Sequence, residues 1–126
     1  MRAILAAVLL LSTACFAHAE LPSASAIVIN QAFTSGTPTV IDLGARTCIS
    51  CKKMVPILES LSSMYKGKVN VLFIDVHEDQ DAAKRFGVQM IPTQIFFDAK
   101  GKEVKRHIGF LDKQGLLKEL KAAGLK

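Results

Sequence analysis

The stretch Thr39–Pro56, TVIDLGARTCISCKKMVP, joins a β-branched apolar run to two cysteines three positions apart and a proline five residues past the second. Thr39 to Leu43 predicts a short strand covered on both faces. Met54, Ile57, Leu58, Leu61, Met64 and Tyr65 then recur at i, i+3, i+4, i+7 spacing. That is one apolar face of a helix starting near Cys48 and bending at Pro56, where an amide donor is missing. Cys48 and Cys51 thus stand where a strand gives way to a helix. Unpaired N–H groups and the positive dipole end favour a thiolate there, lowering a cysteine pKa from ~8.5 to ~7 or below. Cys48 becomes the candidate nucleophile. Cys51, one turn further in and less solvated, becomes the candidate resolving thiol.

Outward from this stretch the chain alternates. Ser23 to Phe33 predicts a first helix, with Ser23 or Ser25 as cap, ended by Thr34-Ser35-Gly36-Thr37-Pro38. Val69 to Asp75 reads as a second buried strand, and Asp79 to Phe86 as a short helix stopped by Gly87. Gln94 to Phe97 and Glu103 to Ile108 are two strands joined by Asp98-Ala99-Lys100-Gly101, a hairpin connection. Asp112 caps a last helix that buries Leu116, Leu117 and Leu120. The order α, β, α, β, α, β, β, α predicts an α/β fold: a mostly parallel central sheet of about four strands with a C-terminal antiparallel hairpin, flanked by helices.

The start of the chain reads differently. Met1 and Arg2 are followed by a run, Ala3 to Phe16, apolar apart from Ser12 and Thr13, and Ala17-His18-Ala19 has the A-x-A form of a signal-peptidase site. Roughly 14 apolar residues fall short of the about 20 that span a bilayer as a helix. Residues 1–19 are therefore expected to be a signal peptide and residues 20–126 one domain, exported to the periplasm or secreted. Cys15 would leave with the leader, and only Cys48 and Cys51 remain in an oxidising compartment. A lipoprotein reading through Cys15 wants leucine where Ser12 stands. Over the full 126 positions, 50% hydrophobic and 21% charged residues describe a single globular domain. The net charge of +5 comes from lysines scattered over Lys52 to Lys126 without interleaved aromatic residues, which argues for a solvated basic surface and against nucleic acid as a partner.

The cysteine pair admits several chemistries. Haem attachment needs CxxCH, and Lys52 occupies the histidine position. A structural zinc site would have to recruit both His77 and His107, which read better as exposed residues at a strand end and on an edge strand. A purely structural disulfide would close so short a loop that it constrains little of the unfolded chain. No metal and no cofactor is expected.

With these residues in place the chain resembles the thioredoxin-like family over nearly its whole length past residue 19. The family's WCGPCK box is similar to Thr47-Cys48-Ile49-Ser50-Cys51-Lys52, its kinking proline to Pro56, and its buried aspartate to Asp42. Its IPT segment matches Ile91-Pro92-Thr93, and its glycine before the last helix matches Gly109. The chain departs where Gly44 and Thr47 replace two tryptophans, Ile49-Ser50 replaces Gly-Pro, and Val71 stands near the place of a buried lysine.

The resemblance implies a thioredoxin fold and a thiol:disulfide oxidoreductase, more reductase than oxidant, acting through a redox disulfide of Cys48 and Cys51. Candidate catalytic residues are Cys48, Cys51 and Asp42, the last accepting the Cys51 proton once burial has raised its pKa. Candidate substrate-binding residues are Ile91, Pro92, Thr93, Ile49, Ser50 and Gly109. Pro92 resembles the family's cis-proline, beside which an extended substrate segment would pair with Ile91. Partners implied are protein disulfides, with a membrane thiol transporter as electron donor, and the protein is expected to be a monomer. A disulfide oxidase or isomerase stands as the alternative. Of another class is a peptide-binding or chaperone-like module with a structural CxxC disulfide. Arg46 and Lys52 are expected to project into water, where screening weakens their effect on Cys48.

Overall fold

A computed structural model describes residues 20–126. The leader expected at residues 1–19, with Cys15, lies outside the described residues. Eight elements follow in the predicted order: α1 (Ala26–Phe33), β1 (Thr39–Gly44), α2 (Ile49–Met64), β2 (Asn70–Asp75), α3 (Gln80–Arg85), β3 (Thr93–Phe97), β4 (Glu103–Ile108) and α4 (Lys113–Ala122). Side-chain caps set four helix starts. Ser25, Cys48, Asp79 and Asp112 each accept a backbone N–H from the first turn. Ser23 falls outside α1: it bridges to Phe73 on β2, and its hydroxyl accepts the Asp75 N–H at 3.0 Å.

The sheet has the order β2-β1-β3-β4. β1 runs parallel to β2 but antiparallel to β3, which is antiparallel to β4. It is a mixed sheet rather than the mostly parallel one expected. The chain leaving β2 passes through residues 76–79, the six-residue α3 and a non-helical stretch to Pro92, and this connection stays at the end of the sheet where β2 finished, with Thr93 opposite Leu43. β3 therefore starts at the end where β1 and β2 finish. Pro92 arrives beside the cysteine loop for this reason.

All six residues of β1 are buried because helices cover both faces of the sheet. Val40 packs with Met54, Leu58 and Leu61 of α2 and Leu116 and Leu120 of α4. Ile41 and Leu43 face the other way, against Ile29 of α1 and Ala82 of α3. By the same alternation Asp42 and Gly44 lie on the α2 side. No described helix is long and apolar enough to cross a membrane.

Candidate active site

Cys48 closes the loop leaving β1 and caps α2: its N–H donates to the Ala45 carbonyl at 3.1 Å, and its Sγ accepts the Cys51 N–H at 3.3 Å. The Ser50 hydroxyl stands 3.5 Å from the same sulfur. Cys48 and Cys51 are joined in a disulfide, their Cα atoms 5.1 Å apart. Cys48 is half-buried at the rim, whereas Cys51 is 3% exposed. Pro56 lies one turn further along α2 and removes the amide that would bond the Lys52 carbonyl.

The loop is pinned from β2. The Asp75 carboxylate accepts the N–H groups of Arg46 (3.1 Å), His77 (2.8 Å) and Glu78 (3.2 Å). Burial works to raise the Asp75 pKa, but these three donors and the His77 charge outweigh it and hold the carboxyl below its ordinary value. Arg46 does not project into water. Its guanidinium donates to Glu20 Oε2 at 3.0 Å and to the Leu21 carbonyl at 3.2 Å, and it lies 5.0 Å from the centre of the Phe73 ring. It ties the Glu20–Leu21 segment beside the cysteine loop; Lys52 is exposed as expected. Between this segment and α2 lies a cavity of about 240 Å³, walled by Leu21, Ala45, Cys51, Val55, Leu58 and Phe73.

Asp42 is 1% exposed and stands opposite Gln94 in the β1–β3 register. Gln94 Nε2 donates to Asp42 Oδ1 at 2.9 Å. Burial lifts the Asp42 pKa from 3.8 to about 6, and the Gln94 bond restrains the rise. Gln94 is absent from the sequence-derived site. A polar residue in an otherwise apolar strand was its one signal, and its partner lies 52 residues away.

The remaining sequence-derived site residues divide. The Ile91–Pro92 bond is cis. One step beyond the Leu43–Thr93 pair, Pro92 meets the end of β1, and its carbonyl accepts the Gly109 N–H at 2.7 Å. Ile49 is 77% exposed beside Cys48, and Ser50 and Ile91 are half-buried. Thr93 turns inward: it is buried, and its hydroxyl donates to the Met90 carbonyl at 2.6 Å. His77 is exposed, and His107 Nε2 contacts the Phe110 carbonyl at 3.1 Å. Among the described residues no group of three His, Cys, Asp or Glu side chains is placed to hold a metal ion.

The thioredoxin family model matches residues 25–122. The chain belongs to the thioredoxin family. It is 34% identical over 90 residues to a thioredoxin of Alicyclobacillus acidocaldarius subsp. acidocaldarius, spanning 71% of this chain and 85% of that one. A thioredoxin of Staphylococcus saprophyticus is 40% identical over 77 residues, 61% of this chain and 73% of the relative. Among solved structures, a mutant thioredoxin from Halobacterium salinarum NRC-1 superposes with a TM-score of 0.72 at 25% identity, covering 82% of this chain and 88% of that chain. Thioredoxin NaTrxh from Nicotiana alata gives 0.68 at 34% identity, with 77% and 82% covered. This thioredoxin-family protein is a thiol:disulfide oxidoreductase, a disulfide reductase whose CxxC pair is Cys48 and Cys51.

Proposed function

We propose that this protein reduces disulfides of exported proteins, with Cys48 as nucleophile, Cys51 as resolving thiol and Asp42 as acceptor of the Cys51 proton. The observation that carries this reading is the difference in depth between the sulfurs: Cys48 caps α2 at the rim, and Cys51 is enclosed behind it. The Cys48 thiolate attacks one sulfur of a substrate disulfide, the other sulfur leaves as a thiolate, and a mixed disulfide forms. Cys51 passes its proton to the Asp42 carboxylate. The Cys51 thiolate then attacks Cys48 Sγ and expels the second substrate thiolate. Two electrons have moved to the substrate, and the Cys48–Cys51 disulfide remains. A carboxyl titrating at about 6 suits the proton step, because it is mostly ionised at neutral pH yet basic enough to take a proton.

An extended substrate segment lies along Ile91 beside the cis-proline, with Ile49, Ser50 and Gly109 around the attacking sulfur. Thr93 contributes through its backbone, since its hydroxyl is engaged by Met90. Export rests on the leader-like residues 1–19 and the A-x-A site before Glu20, leaving residues 20–126 as the working domain. In an oxidising compartment the dithiol form needs a reductant, and a membrane thiol transporter fills that role. The protein works as a monomer. Insulin reduction by dithiothreitol tests the activity: turnover above the uncatalysed rate is expected, and its absence favours a binding module with a structural disulfide. Mass spectrometry of the exported protein should find Glu20 at the N-terminus. A diacylated Cys15 there would make it a tethered lipoprotein instead.

A further inference from the structure

Asp42 sits in a setting with few polar partners. On its face of the sheet α2 contributes Cys51, Met54 and Leu58, β3 contributes Gln94 and Phe96, and α4 contributes Leu116 and Leu120. β2 contributes Val71, Phe73 and, at the rim, Asp75, whose carboxylate is engaged by three backbone N–H groups. Among the described residues the one hydrogen bond to the Asp42 carboxyl comes from Gln94, and two buried acceptors, Asp42 Oδ2 and Gln94 Oε1, have no donor.

An amide differs from every apolar side chain that would fit between these strands, because it carries a donor and an acceptor on one planar group. Nε2–H serves the carboxylate. After a half-turn about the terminal bond, Oε1 would stand where Nε2 stood and accept from the carboxylic acid. We propose that Gln94 is the positioning residue for Asp42, holding its carboxyl in both protonation states through the two ends of one amide. The inference rests on the reading of Asp42 as acceptor of the Cys51 proton. The step balances as one proton: Cys51 loses it, Asp42 gains it, and Gln94 exchanges a donated hydrogen bond for an accepted one. Burial alone would leave an apolar-packed Asp42 protonated further into the neutral range, and the amide keeps its carboxylate available there.

Single-turnover release of thionitrobenzoate from Cys48, followed from roughly pH 5 to 9, reads the proton step. Replacing Gln94 with leucine, or with methionine, which matches its length, removes the donor. The bond to the carboxylate is stronger than the bond to the acid by roughly one pK unit, so the midpoint of the profile should rise by about that amount. At pH 7 release should slow roughly two-fold. In an Asp42→Asn background Gln94→Leu should move the profile no further, which a merely structural role would not predict. The wild-type protein gives an independent reading by NMR: the Gln94 side-chain amide resonances should titrate with the same midpoint as the Asp42 carboxyl carbon. A Gln94 amide that ignores that titration, or an Asp42 midpoint unchanged in both Gln94 variants, overturns the proposal. If Asp42→Asn leaves thionitrobenzoate release unaltered while the NMR midpoints coincide, the proton-acceptor reading of Asp42 fails and the Gln94–Asp42 coupling stands.

Discussion

A Cβ placed on Gly44 would stand 3.2 Å from both Cβ and Sγ of Cys51, so the last residue of β1 forms the floor beneath the buried sulfur. Gly44 has no positive φ, so what opposes a side chain here is this contact alone, tight enough that Cys51 must give by a few tenths of an ångström. Gly44→Ala should push α2 outward at its first turn. A destabilisation of about 1–3 kcal/mol is expected from overpacking, together with a changed Cys48–Cys51 redox equilibrium. Urea unfolding and equilibration against glutathione measure the two effects. An alanine variant matching wild type in both would mean that the helix yields without strain.

Burying Asp42 works against stability at neutral pH. Its folded pKa of about 6 lies above the ordinary 3.8, so the folded protein holds the proton more tightly than the unfolded chain. The Asp42 contribution to stability is therefore fullest below about pH 4, falls as pH rises through that window, and above pH 6 is lower by roughly 3 kcal/mol. Asp42→Asn should raise the urea midpoint at pH 7 and hardly change it near pH 3.5, while slowing substrate release. An equal gain at both pH values would show that charge burial is not the cause.

Unequal depth of the sulfurs predicts unequal trapping. Cys51→Ser leaves Cys48 at the rim to attack but removes the group that resolves the product, so stable mixed disulfides should accumulate. Cys48→Ser leaves only a thiol that is 3% exposed, and few adducts should form. Gel analysis under non-reducing conditions compares the variants, and similar yields from both would reverse or abolish the assignment.

Because Arg46 is held by Glu20 and the Leu21 carbonyl, stabilisation of a Cys48 thiolate falls to the Cys51 N–H, the Ser50 hydroxyl and the end of α2. A Cys48 pKa of about 6 to 7.5 is expected, with a potential nearer roughly −270 mV than −120 mV. Thiolate absorbance through a pH titration and equilibration with glutathione give both. Arg46→Ala should leave the pKa within a few tenths of a unit while loosening Glu20–Leu21, seen as faster hydrogen exchange there. A pKa near 4 with a potential above about −150 mV would mark an oxidant.

The sequence by itself determined the order of all eight elements, the placing of Cys48 and Cys51 at a helix start, and the burial of Asp42. Each is a local signal: alternation, helical spacing, a capping residue, or a carboxylate in an apolar strand. Strand direction was decided only in three dimensions, because the seventeen residues between Asp75 and Thr93 are long enough for either direction and the pairing of β3 with β1 selects one. β3 is antiparallel to β1 and carries Pro92 to the cysteine end. Arg46 looked like a free cation because Glu20 lies 26 positions away. Gln94 looked like one polar residue among apolar ones. The β1–β3 register alone sets it opposite Asp42, and a pairing between strands so far apart in the chain leaves no periodicity to read.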